Sequence, residues 1–194
     1  MKKPQIRKSK WFCHKTVAGM LFLLIFVCTG CASGKDPDRT TVEVGEDGSI
    51  TQYIVEDFSA DYYDAGEMKE RIQTEIAAIP KEDGTVTLKD YKVKNKTAKV
   101  KLTYSSTKAF ERFNHEILFF GTVKEAQEVG LDLLSDKMAI RNLNGDEKVL
   151  ISNTEAFLQL PEKVKDVSKG LKKVDDHTVD PTGAAYETYM VILP

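Results

Sequence analysis

The chain has 194 residues, room for one globular domain or two small ones once any leader is removed. Hydrophobic residues at 41% and charged residues at 30% exclude both a disordered chain and a membrane-embedded one. The formal charge of −2 conceals an asymmetry: Lys2, Lys3, Arg7, Lys8, Lys10 and Lys15 stand in a stretch without acids, so the remainder is acidic by about eight charges and disfavours nucleic acid as a partner.

The basic start is followed by an apolar run from Val17 to Val27, broken only by Gly19, and then by Thr29, Gly30, Ala32, Ser33 and Gly34. This order is that of a secretory signal, in which cations stay on the cytoplasmic side, the apolar run enters the bilayer and small residues admit a peptidase. A transmembrane anchor needs about 20 apolar residues, and the run falls short of that. The segment Val27, Cys28, Thr29, Gly30, Cys31 resembles a lipobox, the signature of bacterial lipoprotein precursors. Gly30 and Cys31 fit its small residue and modified cysteine, and Cys28 replaces the usual Leu. The resemblance implies a diacylglycerol on the Cys31 sulfur, cleavage between Gly30 and Cys31, and a domain tethered to the outer face of the cell membrane through its lipid. A doubly acylated anchor is stable, since each buried methylene contributes about 0.8 kcal/mol. With Cys13 and Cys28 removed, the mature chain keeps a single cysteine and forms no internal disulfide, so the domain depends on its hydrophobic core.

These features divide the chain into a signal peptide (1–30), a lipidated tether (31–41) and one extracytoplasmic domain (42–194), with a sub-boundary near 131 left open. Ala32 to Thr41 are small, charged or proline and read as a solvated tether, able to span roughly 30 Å when extended. Thr41 to Gly45 and Ser49 to Asp57 read as a hairpin across Glu46, Asp47 and Gly48. A helix follows: Asp64 caps it with Glu67 three residues on, Met68, Ile72, Ile76 and Ile79 form one apolar stripe, and Pro80 ends it.

Two strands come next. Ala98, Val100, Leu102 and Tyr104 alternate with polar residues, whereas Val86 and Leu88 are out of phase with Tyr91 and Val93, which predicts a bulge near Lys89 and Asp90. Asn95 and Lys96 supply the turn. A short helix over Thr107 to Asn114 buries Phe110 and Phe113. Ile117 to Phe120 then read as a strand buried on both faces, and Thr122 with Glu125 as the capping box of a helix ending at Gly130. Met138 to Leu143 and Lys148 to Ile151 flank Asn144 and Gly145 as a second hairpin; Ala156 to Leu160, a polar stretch through Lys173, and a closing strand from Tyr186 to Leu193 complete the chain. There is no repeat or heptad pattern. The fold class is α+β: a mixed front half, whose strand-helix-strand-strand-helix-strand order from Ser49 to Phe120 is that of a ferredoxin-like split βαβ, and a mainly antiparallel β back half.

Chemistry is sparse. Asp57, Asp61, Asp64 and Glu67 crowd one stretch, but they lack the spacing and central glycine of a calcium loop, and two of them serve the helix cap. Asp175, Asp176, His177 and Asp180 are the other compact set, in which His177 would be the general base or zinc ligand; no second histidine lies near. His115 with Glu116 reads as a helix C-terminus. No nucleophile signature or nucleotide-binding loop is present, and no metal or cofactor is expected. Lys89, Lys92, Lys94, Lys96, Lys99 and Lys101 cluster on one hairpin, where they protect a sheet edge or meet anionic wall polymers or headgroups.

The leader, the run from Ser49 to Ala77 and the stretch Phe119 to Gln127 together resemble a group of uncharacterised lipoproteins of Gram-positive anaerobes. That resemblance implies an address and no activity. The expected function is a non-enzymatic envelope module that binds a protein or wall polymer. The alternatives are a small hydrolase or metal-dependent enzyme built on His177, and a solute-binding protein, for which about 160 residues are few.

Overall fold

The computed structural model describes residues 36–131 and 143–194. Its first hairpin joins β1 (Thr41–Val44) to β2 (Ile50–Asp57) through a turn in which Gly48, at φ +75°, donates to the Gly45 carbonyl. Helix α1 (Ala65–Ala77) begins where the Asp64 carboxylate accepts the Glu67 N–H at 2.9 Å. A 3-10 turn (Lys81–Asp83) leads into β3 (Val86–Lys94) and β4 (Thr97–Tyr104). Their register shifts between Leu88 and Asp90, so one extra residue brings Tyr91 and Val93 back to the face of Val86 and Leu88. Asn95 and Lys96, both with φ above +50°, form the turn between them.

Helix α2 (Thr107–Asn114) is capped by the Ser106 hydroxyl and stops at His115, which is left-handed. Strand β5 (Leu118–Thr122) runs straight into α3 (Val123–Glu128), whose capping box is complete: Thr122 accepts the Glu125 N–H and Glu125 accepts the Thr122 N–H. The back half supplies β6 (Lys148–Ser152), β7 (Phe157–Gln159), β8 (Asp166–Val167), β9 (Lys172–Lys173), β10 (Thr178–Asp180) and β11 (Tyr189–Ile192).

These strands form two sheets, of order β3-β4-β2-β1-β7-β10-β9 and β5-β6-β11-β8. Strand β4 lies antiparallel between β2 and β3, which is the split βαβ unit. The ferredoxin-like arrangement goes no further, because β1 occupies the free side of β2 and β5 opens the second sheet. Among the described residues only β1 and β7 pair in parallel; the other ladders are antiparallel, in an α+β fold. Strands from either side of residue 131 share each sheet, and Asp36–Pro194 is one compact unit.

The main core fills the space between the sheets: Val42, Val44, Ile50, Val100 and Leu102 from the larger meet Leu118, Leu150 and Val191 from the smaller, with Ile72 of α1 and Phe110 of α2. The far face of the smaller sheet carries a second core, in which Val149, Ile151, Met190 and Ile192 pack on Val123 and Ala126. The smaller sheet is thus covered on both faces, the larger on one. Strand β5 departs from the sequence expectation in being an edge strand among the described residues: Leu118 is buried, Phe119 and Phe120 are half-buried on opposite cores, and Ile117 is exposed.

The expected hairpin of Met138 to Leu143 with Lys148 to Ile151 lies outside the described residues in all but Leu143 of its first arm; Lys148 to Ile151 belong to β6, between β5 and β11. The folded domain begins before residue 42, where the sequence placed its start. Thr41 is buried in β1, the Thr40 hydroxyl accepts the Val55 N–H at 3.0 Å and donates to the Val55 carbonyl at 3.2 Å, and the Arg39 guanidinium lies 4.6 Å from the Phe157 ring centre. β-branched threonines that can extend a ladder through their hydroxyls belong to the sheet.

Candidate binding cleft and lysine face

Strand β2 ends on Glu56 and Asp57, and the chain then turns through Phe58 to Asp64 before α1 begins. The turn is held at both ends. Phe58 donates its N–H to the Lys96 carbonyl at the tip of the β3–β4 hairpin, and the Tyr91 hydroxyl donates to the Ala65 carbonyl at 2.8 Å, fixing the first residue of α1 to β3. Between these supports lies a cleft of about 420 Å³ lined by Glu56, Asp57, Phe58, Tyr62, Tyr63 and the first turns of α1. Phe58 stacks on Tyr63 with ring centres 5.0 Å apart, and Tyr62 meets Tyr63 edge-on at 4.8 Å. Tyr62 is 81% exposed and Tyr63 47%, so the aromatic surface faces water.

The cleft is negative. Glu56, Asp57, Asp64 and Glu67 line it against Arg71, whose guanidinium is turned 3.1 Å from Glu75 on its own helix. Tyr63 holds its proton more tightly than a free tyrosine, first because of the neighbouring Tyr62 hydroxyl and then because Asp57 and Glu56 add negative potential. Aromatic faces beside carboxylates attract cations, since ring quadrupole and carboxylate charge act with the same sign.

A second surface lies on the outer face of the larger sheet. Cross-strand rows there read Asp90, Lys101, Tyr53; then Lys92, Lys99, Val55; then Lys94, Thr97, Asp57. Lys92 sits 2.6 Å from Asp90, which holds that carboxyl below the usual range. The Lys101 ammonium lies 4.8 Å from the Tyr53 ring centre and 3.7 Å from Asp36. Strand β3 is the sheet edge, so its lysines also blunt a strand that would otherwise template pairing.

The chain matches no family model, curated protein or solved structure.

The residues singled out in the sequence fall as follows. Gly30 and Cys31 lie outside the described residues. Of Asp57, Asp61, Asp64 and Glu67, all but Asp61 line the cleft; Asp57 accepts from the Ser59 hydroxyl, Asp64 caps α1, and no metal-ligating group occurs among the described residues. His177 is exposed, with Nδ1 3.2 Å from the Leu160 carbonyl. Its acidic neighbours are engaged in turns and ion pairs. Asp175 accepts the His177 N–H at 2.8 Å, which lowers its pKa, Asp176 pairs with Lys163, and Asp180 accepts from the Thr182 hydroxyl and N–H. His115 occupies the α2 C-cap, as its position in the sequence suggested.

The aromatic half of the cleft was missed in the sequence. The signal was present in Phe58, Tyr62 and Tyr63, three rings within six residues between a strand end and a helix cap, where no apolar periodicity asks for them.

Proposed function

We propose that the protein is a membrane-anchored extracytoplasmic lipoprotein whose domain is a non-enzymatic binding module, with the acidic aromatic cleft at the start of α1 as its recognition site. The address rests on the leader and on Gly30 and Cys31 at the lipobox. The observation that carries the binding reading is the exposure of Tyr62 and Tyr63 above a negative cleft, because large rings left in water commonly mark contact surfaces. The chemistry suits a ligand that presents a positive charge, such as a basic segment of an envelope protein. The alternative of a hydrolase or metal-dependent enzyme around His177 gains nothing from the geometry, since its acids are committed to turns and ion pairs. Among the described residues no helix is long and apolar enough to cross a membrane.

The test is photo-crosslinking in living cells from an unnatural residue at Tyr62, with the exposed turn position Val174 as control. A discrete adduct from Tyr62 that is missing from Val174, and is lost when Glu56 and Asp57 are changed to Gln and Asn, supports the cleft. Equal, diffuse labelling from both positions contradicts it.

A further inference from the structure

The place where the chain enters the fold assigns a direction to the whole domain. Asp36 and Pro37 cross the outer face of the larger sheet: the Pro37 carbonyl accepts from Lys99 Nζ at 3.4 Å, and the Asp36 carboxylate lies 3.7 Å from Lys101 Nζ. Together with Tyr53, Val55 and Lys92 they border a small groove of about 110 Å³. The lysine rows therefore surround the point at which the tether arrives.

We propose that this face of β2, β3 and β4 is the membrane-facing side of the domain, its lysines resting against anionic lipid headgroups. The inference depends on the lipid anchor at Cys31 proposed above. From Cys31 to Asp36 the covalent chain spans at most about 17 Å at its fullest extension, roughly half the reach of a tether ending at Thr41. A leash that short keeps the entry face near the lipid, within about two screening lengths at physiological salt even when fully extended. Charge then chooses how the face settles. It carries Lys92, Lys94, Lys99 and Lys101, with Lys89 in the bulge and Lys96 at the hairpin tip, against Asp36, Asp57, Asp90 and Glu43. Of those acids Asp90 is taken by Lys92 and Asp36 by Lys101, and Glu43 lies 3.3 Å from the Tyr53 hydroxyl. Lys89, Lys94, Lys96 and Lys99 pair with no carboxylate among the described residues. The remainder of the mature chain is acidic and is repelled by an anionic surface, so the lysine rows are the side that can approach. Untethered, the same domain has too few unpaired cations to bind such a surface on its own.

The experiment uses the full lipidated protein, extracted from cell membranes and returned to vesicles of phosphatidylcholine alone or with added phosphatidylglycerol. Its lysines are acetylated briefly and read by peptide mass spectrometry, with exposed Lys69, Lys124 and Lys169 as internal controls. On phosphatidylglycerol vesicles the rates at Lys92, Lys94 and Lys99 should fall about fivefold, the factor that corresponds to the usual attraction of one lysine to an anionic surface. The controls should not change, and high salt should restore the rates. Unchanged rates at the three lysines overturn the proposal, as does an equal fall on neutral vesicles, which would leave the tether acting without charge. Protection in whole cells but not on vesicles overturns it in favour of an anionic wall polymer. The intact mass of the extracted protein separates the two readings: without the diacylglycerol the anchor falls and this proposal with it, whereas a lipidated protein with unprotected lysines sinks this proposal alone.

Discussion

Interior strands of the two sheets are of opposite kinds. In β4 the buried residues Ala98, Val100, Leu102 and Tyr104 alternate with wet ones, whereas every residue of β11 is buried. The first pattern follows from a sheet with one covered face, the second from a sheet between two cores. The difference also separates roles. The two-sided sheet has no free face to offer a ligand and serves as scaffold. The one-sided sheet presents the lysine rows on its open face, and the acidic aromatic cleft lies at the end of its strand β2.

Cavity formation gives the widest separation. Leu150 is fully buried in the centre of the smaller sheet, so Leu150→Ala should cost about 2–5 kcal/mol in denaturant unfolding, while Lys99→Ala on the open face should change stability by less than about 0.5 kcal/mol. Similar losses at the two sites would break the contrast.

The next effect is polar. Tyr104 lies on the buried face of β4, donating to Gln52 Oε1 at 2.5 Å and accepting from Asn114 Nδ2 at 3.3 Å. Tyr104→Phe leaves Gln52 without its donor and should cost about 1–3 kcal/mol. Burial pushes the Tyr104 pKa far above that of a free tyrosine. The unfolded chain therefore releases this proton first, and stability should fall as pH rises above about 10. Circular dichroism across the alkaline range should show that fall reduced in Tyr104→Phe.

How far the sequence discloses this fold depends on the range of the interaction. The β3–β4 hairpin was legible down to its bulge, because a phase change between Leu88 and Tyr91 has one local remedy. The caps at Asp64 and Thr122 were legible because each bonds within three residues. Strand β5 was not. The run from Ile117 to Phe120 indicates burial, but nothing local says that Leu118 pairs with Ser152 in a second sheet. The parallel pairing of β1 with β7 joins residues more than a hundred positions apart, and β8 and β9, at two residues each, are too short to show a period. At the cleft the acids stand out in the sequence by their crowding, whereas Phe58, Tyr62 and Tyr63 follow neither a ligand spacing nor an apolar period.

A smaller effect concerns the contact between the turn before β3 and helix α2. Asp83, whose side chain is almost inaccessible to water, lies 2.5 Å from Lys108 and 2.8 Å from Arg112, one turn apart on α2. Hydrogen bonding to Lys108 and then to Arg112 lowers its pKa. A lowered carboxylate stabilises fully above its unfolded pKa of about 4, and the contribution fades as pH falls through the folded value. Asp83→Asn should lower the melting temperature by a few degrees at neutral pH and flatten the acid side of the stability curve. The smallest effect is a gain. Lys96 holds φ +59° at the hairpin tip, so Lys96→Gly should stabilise by up to about 1 kcal/mol in the same unfolding assay, provided the open-face hairpin is as local as its register implies.

The claim on which the functional account turns is the covalent one at the start of the mature chain. Intact-mass and N-terminal peptide analysis of the protein purified from its own membranes tests it directly. The account predicts a chain beginning at Cys31, with diacylglycerol on its sulfur. A chain that retains residues before Cys31, or one with a free thiol there, would contradict it.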